Sequence, residues 1–513
     1  MNEVLDKVKR GSKWVLVKTS FIFQFIVTLI FIFLLYFFIT THEYQGYWSR
    51  DLLISMGITG FVSIVFLVYH VKQYYQQVEK MFLTFAIPIS ILFLVFMLPE
   101  YIPDGASHTW RAYEVSQGKF LGREDSQVEI PRDLQENREN IENYYQYNLL
   151  LQESTDYDDT VLAPSPAKSY SFLLYLPSAA GMLIGRICNL NVFVATYIAR
   201  SFNLLLFLGI GYWAIKKIPF GKKVLGIYML MPMVIQQAVS FSADSLMNTS
   251  IFLYIAYTLY LLFKEDLITK KEKIFYMFLM IFIGISKATY IPIIALAFPI
   301  FFKKNMKTKK EKIIFLLLSI VICLASYASL AWINRGNVND SATDYLTENH
   351  VNSSEQLQYL LENPLRIIEV LWNNRIENGE TYFYQMIGND LGWLSIQVPS
   401  MYILYMVVIM VIAIFTEKNE VVFNRAEKVW TLLLAFGMYA LVNMGLYLEW
   451  TGVAEPIVAG VQGRYFIPIA ILVPICCCMK NNFVKLKYGN ILIFGATLGV
   501  HILTIIEIVN FFL

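Results

Sequence analysis

Long apolar runs recur along almost the whole chain, and they restrict its fold more than any other feature. A membrane-spanning helix needs roughly 20 predominantly apolar residues. Hydrophobic residues make up 57% of the chain and charged residues only 16%, whereas a soluble domain has about 25% charged residues. The chain is therefore predicted to be an all-α polytopic membrane protein, and this composition excludes a soluble enzyme and a disordered chain.

About 13 transmembrane helices are predicted from runs of this length, within a single membrane domain, residues 1–513. The candidate spans are 15–41, 52–70, 81–99, 192–215, 222–240, 245–263, 273–289, 290–302, 312–334, 399–416, 428–449, 464–479 and 488–512. The apolar segment 169–187 is interpreted as a helix lying at the outer interface, because counting it as a span would turn the next basic loops outward.

The positions of Lys and Arg predict the orientation, since basic short loops face the cytoplasm. The N-terminus is then cytoplasmic, and the protein lies in the cell membrane with two large outer loops, 100–191 and 335–400. The net charge of +2 argues against a nucleic-acid partner. No phosphate-binding loop or dinucleotide motif occurs in the sequence, so the expected chemistry lies at the outer face.

The first candidate site follows the third span, in PEYIPDGASHTWRAY. A helix beginning near Asp104 would place Asp104, His108 and Arg111 on one side, because they are spaced i, i+4 and i+7. A carboxylate in this position can act as a general base toward a hydroxyl group. The alternative is that Asp104 only caps the helix that begins at Gly105.

Two further candidates lie at the ends of later spans. Asp244, in SFSADSLMN, follows a short outer turn, and either it or Ser242 could instead cap the next helix. Lys287, in SKATYIP, lies within an apolar run beside the break at Pro292. A lysine in such a run is costly and by default functional, although snorkelling to the interface is the alternative.

The last candidates are in GVQGRYFIP, GNDLGWLS and TYIARSFN. Arg464 can bind a phosphate with two donors, and Gly460 and Gly463 would allow close approach of a ligand; the alternative role is a topological anchor. Arg200 has a similar position. Trp393 would form part of a sugar-binding wall or of an interfacial belt.

These candidates together suit a lipid-linked phosphate substrate, with cations for the phosphate and a carboxylate for the acceptor hydroxyl. Asp104 and Asp244 are the predicted catalytic residues. The predicted substrate-binding residues are His108, Arg111, Arg200, Lys287, Trp393, Gln462, Arg464 and Tyr465.

The segments IPDGASHTWRAY, SFSADSLMN, SKATYIP, NDLGWLS and GVQGRYFIP also carry a resemblance. In this order they resemble the motifs of an uncharacterised family of bacterial multi-pass membrane proteins that is itself similar to GT-C glycosyltransferases. The resemblance implies a GT-C-like fold and a polyprenyl-phosphate sugar as donor. It further implies an acid in the first outer loop, matched by Asp104, that activates the acceptor for inverting transfer.

The acceptor implied is a cell-wall or surface polysaccharide, or a lipid-linked precursor. The family's acidic pair is Asp104-Gly105 here, so the second acid is missing. A divalent metal cofactor is left open but is disfavoured by Gly105, and no metal ligand is assigned. Two other functions stay open at this point: a transporter or flippase of a lipid-linked saccharide, and a polysaccharide polymerase or ligase.

Overall fold

The computed structural model describes residues 20–40, 49–120, 127–136, 141–303, 306, 308–333 and 343–513. Predictions for the cytoplasmic segment 1–14, and for residues 335–342 of the second outer loop, lie outside this part of the chain. The described residues form a mostly helical protein with two small antiparallel sheets.

The helices, in chain order, are α1 Ser20–Thr40, α2 Arg50–Tyr74, α3 Val78–Phe96, α4 Gly105–Ser116, α5 Arg132–Glu136, α6 Tyr144–Leu150, α7 Leu176–Ile187, α8 Val192–Lys217, α9 Lys222–Met229, α10 Pro232–Ala238, α11 Ala243–Phe263, α12 Lys270–Gly284, α13 Lys309–Ile333, α14 Thr343–Glu348, α15 Ser353–Glu362, α16 Arg366–Ile387, α17 Ser400–Thr416, α18 Arg425–Glu449, α19 Ile467–Ala470, α20 Leu472–Cys476 and α21 Gly489–Phe512. Short 3₁₀ segments cover Pro166–Ser169, Phe172–Tyr175 and Gly463–Phe466, and a longer one covers Ala288–Phe302. The strands are β1 Gln127–Pro131, β2 Thr160–Pro164, β3 Asp390–Leu391 and β4 Ile396–Gln397. β1 pairs with β2 and β3 with β4.

Among the described residues, eight helices are long and apolar enough to cross a membrane: α1, α2, α3, α8, α11, α13, α18 and α21. The predicted all-α polytopic class is therefore confirmed, but a count of 13 spans is not. The other five predicted spans are helical but short or interrupted: 222–240, 273–289, 290–302, 399–416 and 464–479.

Proline explains several of these interruptions, because it removes a backbone donor and clashes with the preceding helical turn. The segment 222–240 divides into α9 and α10 just before Pro232. The segment 288–302 contains Pro292 and Pro299 and winds as a 3₁₀ helix, which is unusual at this length. The sequence indicated the break at Pro292, but the division before Pro232 was not predicted, because hydropathy measures apolar content and not backbone continuity.

Helix α11 is almost wholly buried within the protein, whereas few residues of α2 are buried. Helices α8 and α12 pack against α11, and α3 packs against α8 and α21. Asp244 and Ser245, at the start of α11, are buried within the helical bundle.

The helix α7, in the segment predicted to be interfacial, packs closely on α8. A Cβ atom added to Gly181 would lie 2.4 Å from the Cα atom of Ala199, and one added to Gly185 would lie 2.3 Å from the Cβ atom of Ala195. Residues four apart on each helix thus meet in opposite order, so the two helices run antiparallel. The position of α7 relative to the lipid surface stays a prediction.

Candidate functional site

Four charged side chains from distant parts of the chain form one group, here named the charged cluster. The Nη2 atom of Arg464 lies 3.3 Å from Oδ2 of Asp104, and its Nη1 atom lies 3.8 Å from Oδ2 of Asp244. The Nζ atom of Lys287 lies 3.3 Å from Oδ1 of Asp244. Two cations and two carboxylates therefore alternate, and their formal charges balance.

The charged cluster has an open end and a buried end. The side chain of Asp104 is 66% exposed, whereas those of Arg464 and Asp244 are 4% and 6% exposed. Lys287 is also largely buried. Arg464 thus joins an accessible carboxylate to an ion pair that is shielded from solvent.

The loop after α3 presents Asp104 in an uncommon backbone conformation. Its φ and ψ angles are 60° and 21°, in the left-handed region, which Asp tolerates better than most residues. Asp104 precedes α4, but its side chain makes no capping hydrogen bond. The capping alternative is therefore wrong, and the carboxylate is directed toward Arg464 instead.

Gly105 occupies a position without room for a side chain. A Cβ atom there would lie 2.2 Å from the carbonyl oxygen of Glu100, far inside the normal contact distance. A second acid beside Asp104 is thus incompatible with this loop as it is folded.

Asp244 is free to pair with Lys287 because a neighbouring residue caps α11. The hydroxyl of Ser242 accepts a hydrogen bond from the backbone N–H of Asp244 over 3.2 Å, so the cap is Ser242. Lys287 follows the end of α12 and precedes the 3₁₀ helix. The interruption between α12 and the 3₁₀ helix thus places the ammonium group of Lys287 beside the start of α11.

Lys287 lies among aromatic rings rather than reaching for solvent. Its Nζ atom is 5.3 Å from the ring centroids of Tyr170 and Tyr465 and 5.4 Å from that of Tyr290. Such ring faces attract a cation electrostatically within about 6 Å. The snorkelling alternative is therefore wrong, because an inward-facing carboxylate and three rings surround the ammonium group.

The Arg464 side chain is oriented by its own segment and by α16. Its Nε atom donates to Oε1 of Gln462 over 2.7 Å. A Cβ atom on Gly463 would lie 2.3 Å from the carbonyl oxygen of Tyr382, so this glycine admits the backbone of α16. Gly460, with φ of 74°, packs on the Trp450 ring. The expectation that both glycines face a ligand is wrong, since protein groups fill these spaces.

His108 borders the charged cluster as an uncharged ring. Its Nδ1 atom is 2.7 Å from the hydroxyl oxygen of Tyr175, and its ring stacks on those of Tyr170 and Tyr175. Burial, with a smaller contribution from the nearby charge of Arg464, lowers the pKa of His108 to about 4. The imidazole is therefore neutral near pH 7 and can accept or donate a hydrogen bond without adding charge.

Residues 88–473, which contain every member of the charged cluster, match the family described as predicted membrane proteins, DUF2142. The chain belongs to this family. No curated protein and no solved structure matches it. The family description and the eight apolar helices both indicate a multi-pass membrane protein, and the chemistry of this DUF2142 protein is inferred from the site.

Two predicted substrate-binding arginines of this DUF2142 protein lie outside the charged cluster. Arg111 pairs with Glu114 and donates to the carbonyl oxygen of Phe120 over 2.8 Å. Arg200 donates to the carbonyl oxygens of Val239 over 2.6 Å and Met97 over 3.0 Å. Helical periodicity predicted that Arg111 lies on the same face as Asp104. Its side chain pairs instead with the carboxylate of Glu114, three residues later on the same helix.

Trp393 approaches the loop that carries Asp104 without joining the charged cluster. Its indole N–H donates to the carbonyl oxygen of Glu100 over 3.3 Å. The ring is about half exposed and lines a cavity of about 420 Å³ together with Glu100, Tyr101 and Tyr147. Trp393 therefore forms one wall of a mainly apolar space close to the candidate site.

Sequence reasoning missed Tyr170, Tyr175, Tyr290 and Gln385. Tyr290 lies three residues after Lys287 in the motif SKATYIP, and this spacing could have indicated that the two side chains are neighbours. Gln385 accepts a hydrogen bond from the N–H of Gly463, a contact that depends on the fold alone. In the part of the chain that the structure describes, no group of three or more His, Cys, Asp or Glu side chains could hold a metal ion.

Proposed function

We propose that this chain is a GT-C-type glycosyltransferase. It transfers a sugar from a polyprenyl-phosphate donor to an extracytoplasmic acceptor, which is a cell-wall or surface polysaccharide or a lipid-linked precursor. The observation that carries the proposal is the asymmetry of the charged cluster. One carboxylate, Asp104, is accessible, while the cations Arg464 and Lys287 lie deeper beside Asp244.

The cations are suited to hold the donor phosphate. The ion-pair distances of 3.3 and 3.8 Å exceed the roughly 2.7–2.9 Å of a strong charge-assisted hydrogen bond. Phosphate oxygens can therefore improve on the contacts that Arg464 and Lys287 make with the carboxylates. Asp244 keeps both cations in place, and the guanidinium group offers two parallel donors to one phosphate.

The transfer step then assigns one role to each end of the charged cluster. The acceptor oxygen attacks the anomeric carbon, and its proton passes to the carboxylate of Asp104. The bond between the anomeric carbon and the phosphate oxygen breaks, and its electron pair stays on the phosphate. Arg464 and Lys287 stabilise the charge that develops there.

Other residues position these groups in the proposal. Gln462 orients Arg464 through the hydrogen bond to Nε. Tyr465 lies beside Lys287 and Arg464, and the neutral His108 is available to a sugar hydroxyl. Arg111 and Arg200 are assigned supporting roles, since their guanidinium groups bind protein oxygens. The outward orientation of the site, with a cytoplasmic N-terminus, belongs to the same proposal.

Purified full-length protein in liposomes, given a radiolabelled polyprenyl-phosphate hexose and a cell-envelope extract as acceptor source, tests the proposal. Wild type should consume the donor and release polyprenyl phosphate, and Arg464→Ala should do so much more slowly, because it binds the donor more weakly. Lys119→Ala serves as a control, because Lys119 forms a half-exposed pair with Glu129 away from the charged cluster. Movement of intact donor across the bilayer without consumption would instead indicate a flippase.

A further inference from the structure

Helix α16 combines a packed face with an exposed apolar face, although it is not one of the eight candidate spans. On the packed face, Asn374 donates from Nδ2 to Oδ1 of Asn443 over 2.6 Å. Val370 lies in a small apolar core with Tyr447. The contacts of Val370 and Asn374 attach α16 to the last part of α18.

The opposite face of α16 carries a row of large apolar side chains, here named the apolar stripe. It consists of Leu365, Ile368, Trp372 and Ile376, which are 77%, 66%, 65% and 67% exposed. Their spacing of three and four residues places them on one side of the helix. On the preceding helix α15, Leu357 and Leu361 are likewise exposed. A continuous apolar surface of this kind marks a site of interaction.

The contacts with α18 set the depth of the apolar stripe. Val370 lies with Tyr447 and Asn374 with Asn443, so α16 runs antiparallel to the end of α18. Since α18 ends at Glu449, Asn443 lies about 9 Å inside that end at about 1.5 Å per residue. The apolar stripe is therefore level with the terminal turns of a candidate membrane span.

Helix α18 exposes the same kind of surface farther along its length. Its outward-facing residues include Leu432, Leu433, Phe436 and Leu441, all strongly exposed. If α18 crosses the membrane, these side chains face lipid, and the apolar stripe continues their surface toward the end of the helix.

We propose that the apolar stripe of α16 lies in the lipid leaflet that surrounds the Glu449 end of α18. Exposed charges flank the stripe at Glu369, Arg375 and Glu380. Charges beside an apolar face are typical of a helix at the headgroup boundary, where charged ends reach water and apolar side chains enter the acyl region. Helix α16 is thus a membrane-surface anchor within the second large loop.

This anchoring has a direct connection to the charged cluster. The same helix carries Gln385, which accepts from the N–H of Gly463 next to Arg464. The backbone of Tyr382 packs on Gly463 as well. The lipid contact of α16 therefore fixes the height of Arg464 relative to the membrane surface.

Fluorescence quenching in liposomes tests the anchor. Ile376→Cys and Leu365→Cys are made in full-length protein whose five native cysteines are replaced, and each is labelled with bimane. Glu380→Cys and Glu377→Cys are the matched controls on the polar flank of α16. Phosphatidylcholine brominated near the headgroup end of its acyl chains supplies a lipid quencher, and iodide supplies an aqueous one.

We expect brominated lipid to quench most of the fluorescence of the two stripe labels and little of that of the two flank labels, with the order reversed for iodide. Equal iodide quenching at all four positions would overturn the proposal, because the stripe would then face water. Protection of the stripe from both quenchers would also overturn it and would indicate a protein partner or a second copy. All four positions are exposed, so labelling leaves the packed core unchanged.

Discussion

The guanidinium Nη2 atom of Arg464 lies 3.3 Å from the carboxylate Oδ2 atom of Asp104, although 360 residues separate them in the chain. The other terminal nitrogen of Arg464 faces Asp244 at 3.8 Å. One arginine thereby links an accessible acid with a buried ion pair. The two acids are consequently expected to respond differently to substitution.

Asp104→Asn is predicted to abolish most activity while leaving the fold intact. Asn tolerates the left-handed conformation observed at Asp104, and an exposed ion pair contributes only about 0–1 kcal/mol to stability. Loss of a positioned general base should lower turnover by about 10²–10⁴-fold. Donor consumption and the thermal unfolding midpoint of the purified variant measure the two effects separately. Near-normal turnover would mean that Asp104 is not the base.

Asp244→Ala is predicted to act mainly on stability. It leaves Lys287 and Arg464 in a buried site without the carboxylate between them, and breaking a buried ion pair costs about 3–5 kcal/mol. The unfolding midpoint in detergent should therefore fall clearly. The double variant Asp244→Leu/Lys287→Met should recover much of the loss, since an apolar pair can replace a buried ion pair.

Glu369→Ala provides the control for this stability prediction. It removes the ion pair with Arg366, in which Glu369 is 55% exposed, and the change should stay within about 1 kcal/mol. Similar unfolding midpoints for Asp244→Ala and Glu369→Ala would show that the buried pair does not hold α11 against the segment after α12.

The sequence predicted Lys287, Asp244 and Arg464 because a charged residue in or beside an apolar run is costly, and it predicted Asp104 from its place at the start of a helix after the third span. Lys287 interrupts an apolar run, and Asp244 and Arg464 lie next to spans, so their positions in the sequence identify them. The directions of the side chains were not predictable. Arg111 shares a helical face with Asp104, but its guanidinium group pairs with Glu114. The local packing of the first loop determines this partner.

The helical class of the fold was predictable from the sequence, but the continuity of individual helices was not. Apolar content indicated helices throughout, and the described residues are helical in each predicted span. The sequence did not show that a new helix begins at Pro232 or that Ala288–Phe302 forms a 3₁₀ helix. Both outcomes depend on which neighbouring groups bond to the backbone atoms that proline leaves unpaired. Tyr170 and Tyr175 gave no signal either, because tyrosine is common in this chain and only the fold brings them to His108.

Arg464→Ala is predicted to weaken donor binding. A hydrogen bond to a charged group contributes about 1.5–3 kcal/mol, which corresponds to roughly tenfold to a hundredfold in affinity. Arg464→Lys should restore binding only in part, because a single ammonium group replaces a planar fork. Equilibrium binding of a labelled polyprenyl-phosphate sugar measures both variants. Wild-type affinity in folded Arg464→Ala would place the phosphate elsewhere.

Gly105→Ala is predicted to disturb the loop that presents Asp104. Its added methyl group would meet the carbonyl oxygen of Glu100 at 2.2 Å, so the backbone must move. Both the unfolding midpoint and turnover should fall. Gly437→Ala in α18 is the matched control, since a Cβ atom there meets nothing within 4 Å and alanine favours helix by about 1 kcal/mol. Gly105→Glu with undiminished turnover would contradict this account.

His108 is predicted to make stability depend on pH below neutrality. The pKa of His108 in the folded protein is lowered to about 4, mainly by burial, from an ordinary value of 6.5. Above this window both states are neutral and the residue adds no pH dependence. As the pH falls from about 6.5 toward about 4, the unfolded chain binds the proton first, and the folded state loses stability.

Thermal unfolding of wild type and His108→Gln at pH values above and below this window tests the prediction. Gln can still hydrogen-bond to the hydroxyl of Tyr175 but does not titrate, so acidification should lower the midpoint less in the variant than in wild type. His70 and His501 are also buried and remain in both proteins, so the difference between the two profiles isolates His108. Identical profiles would mean that His108 has the same pKa in the folded and unfolded states, in which case burial between Tyr170 and Tyr175 does not hold the imidazole neutral beside the charged cluster.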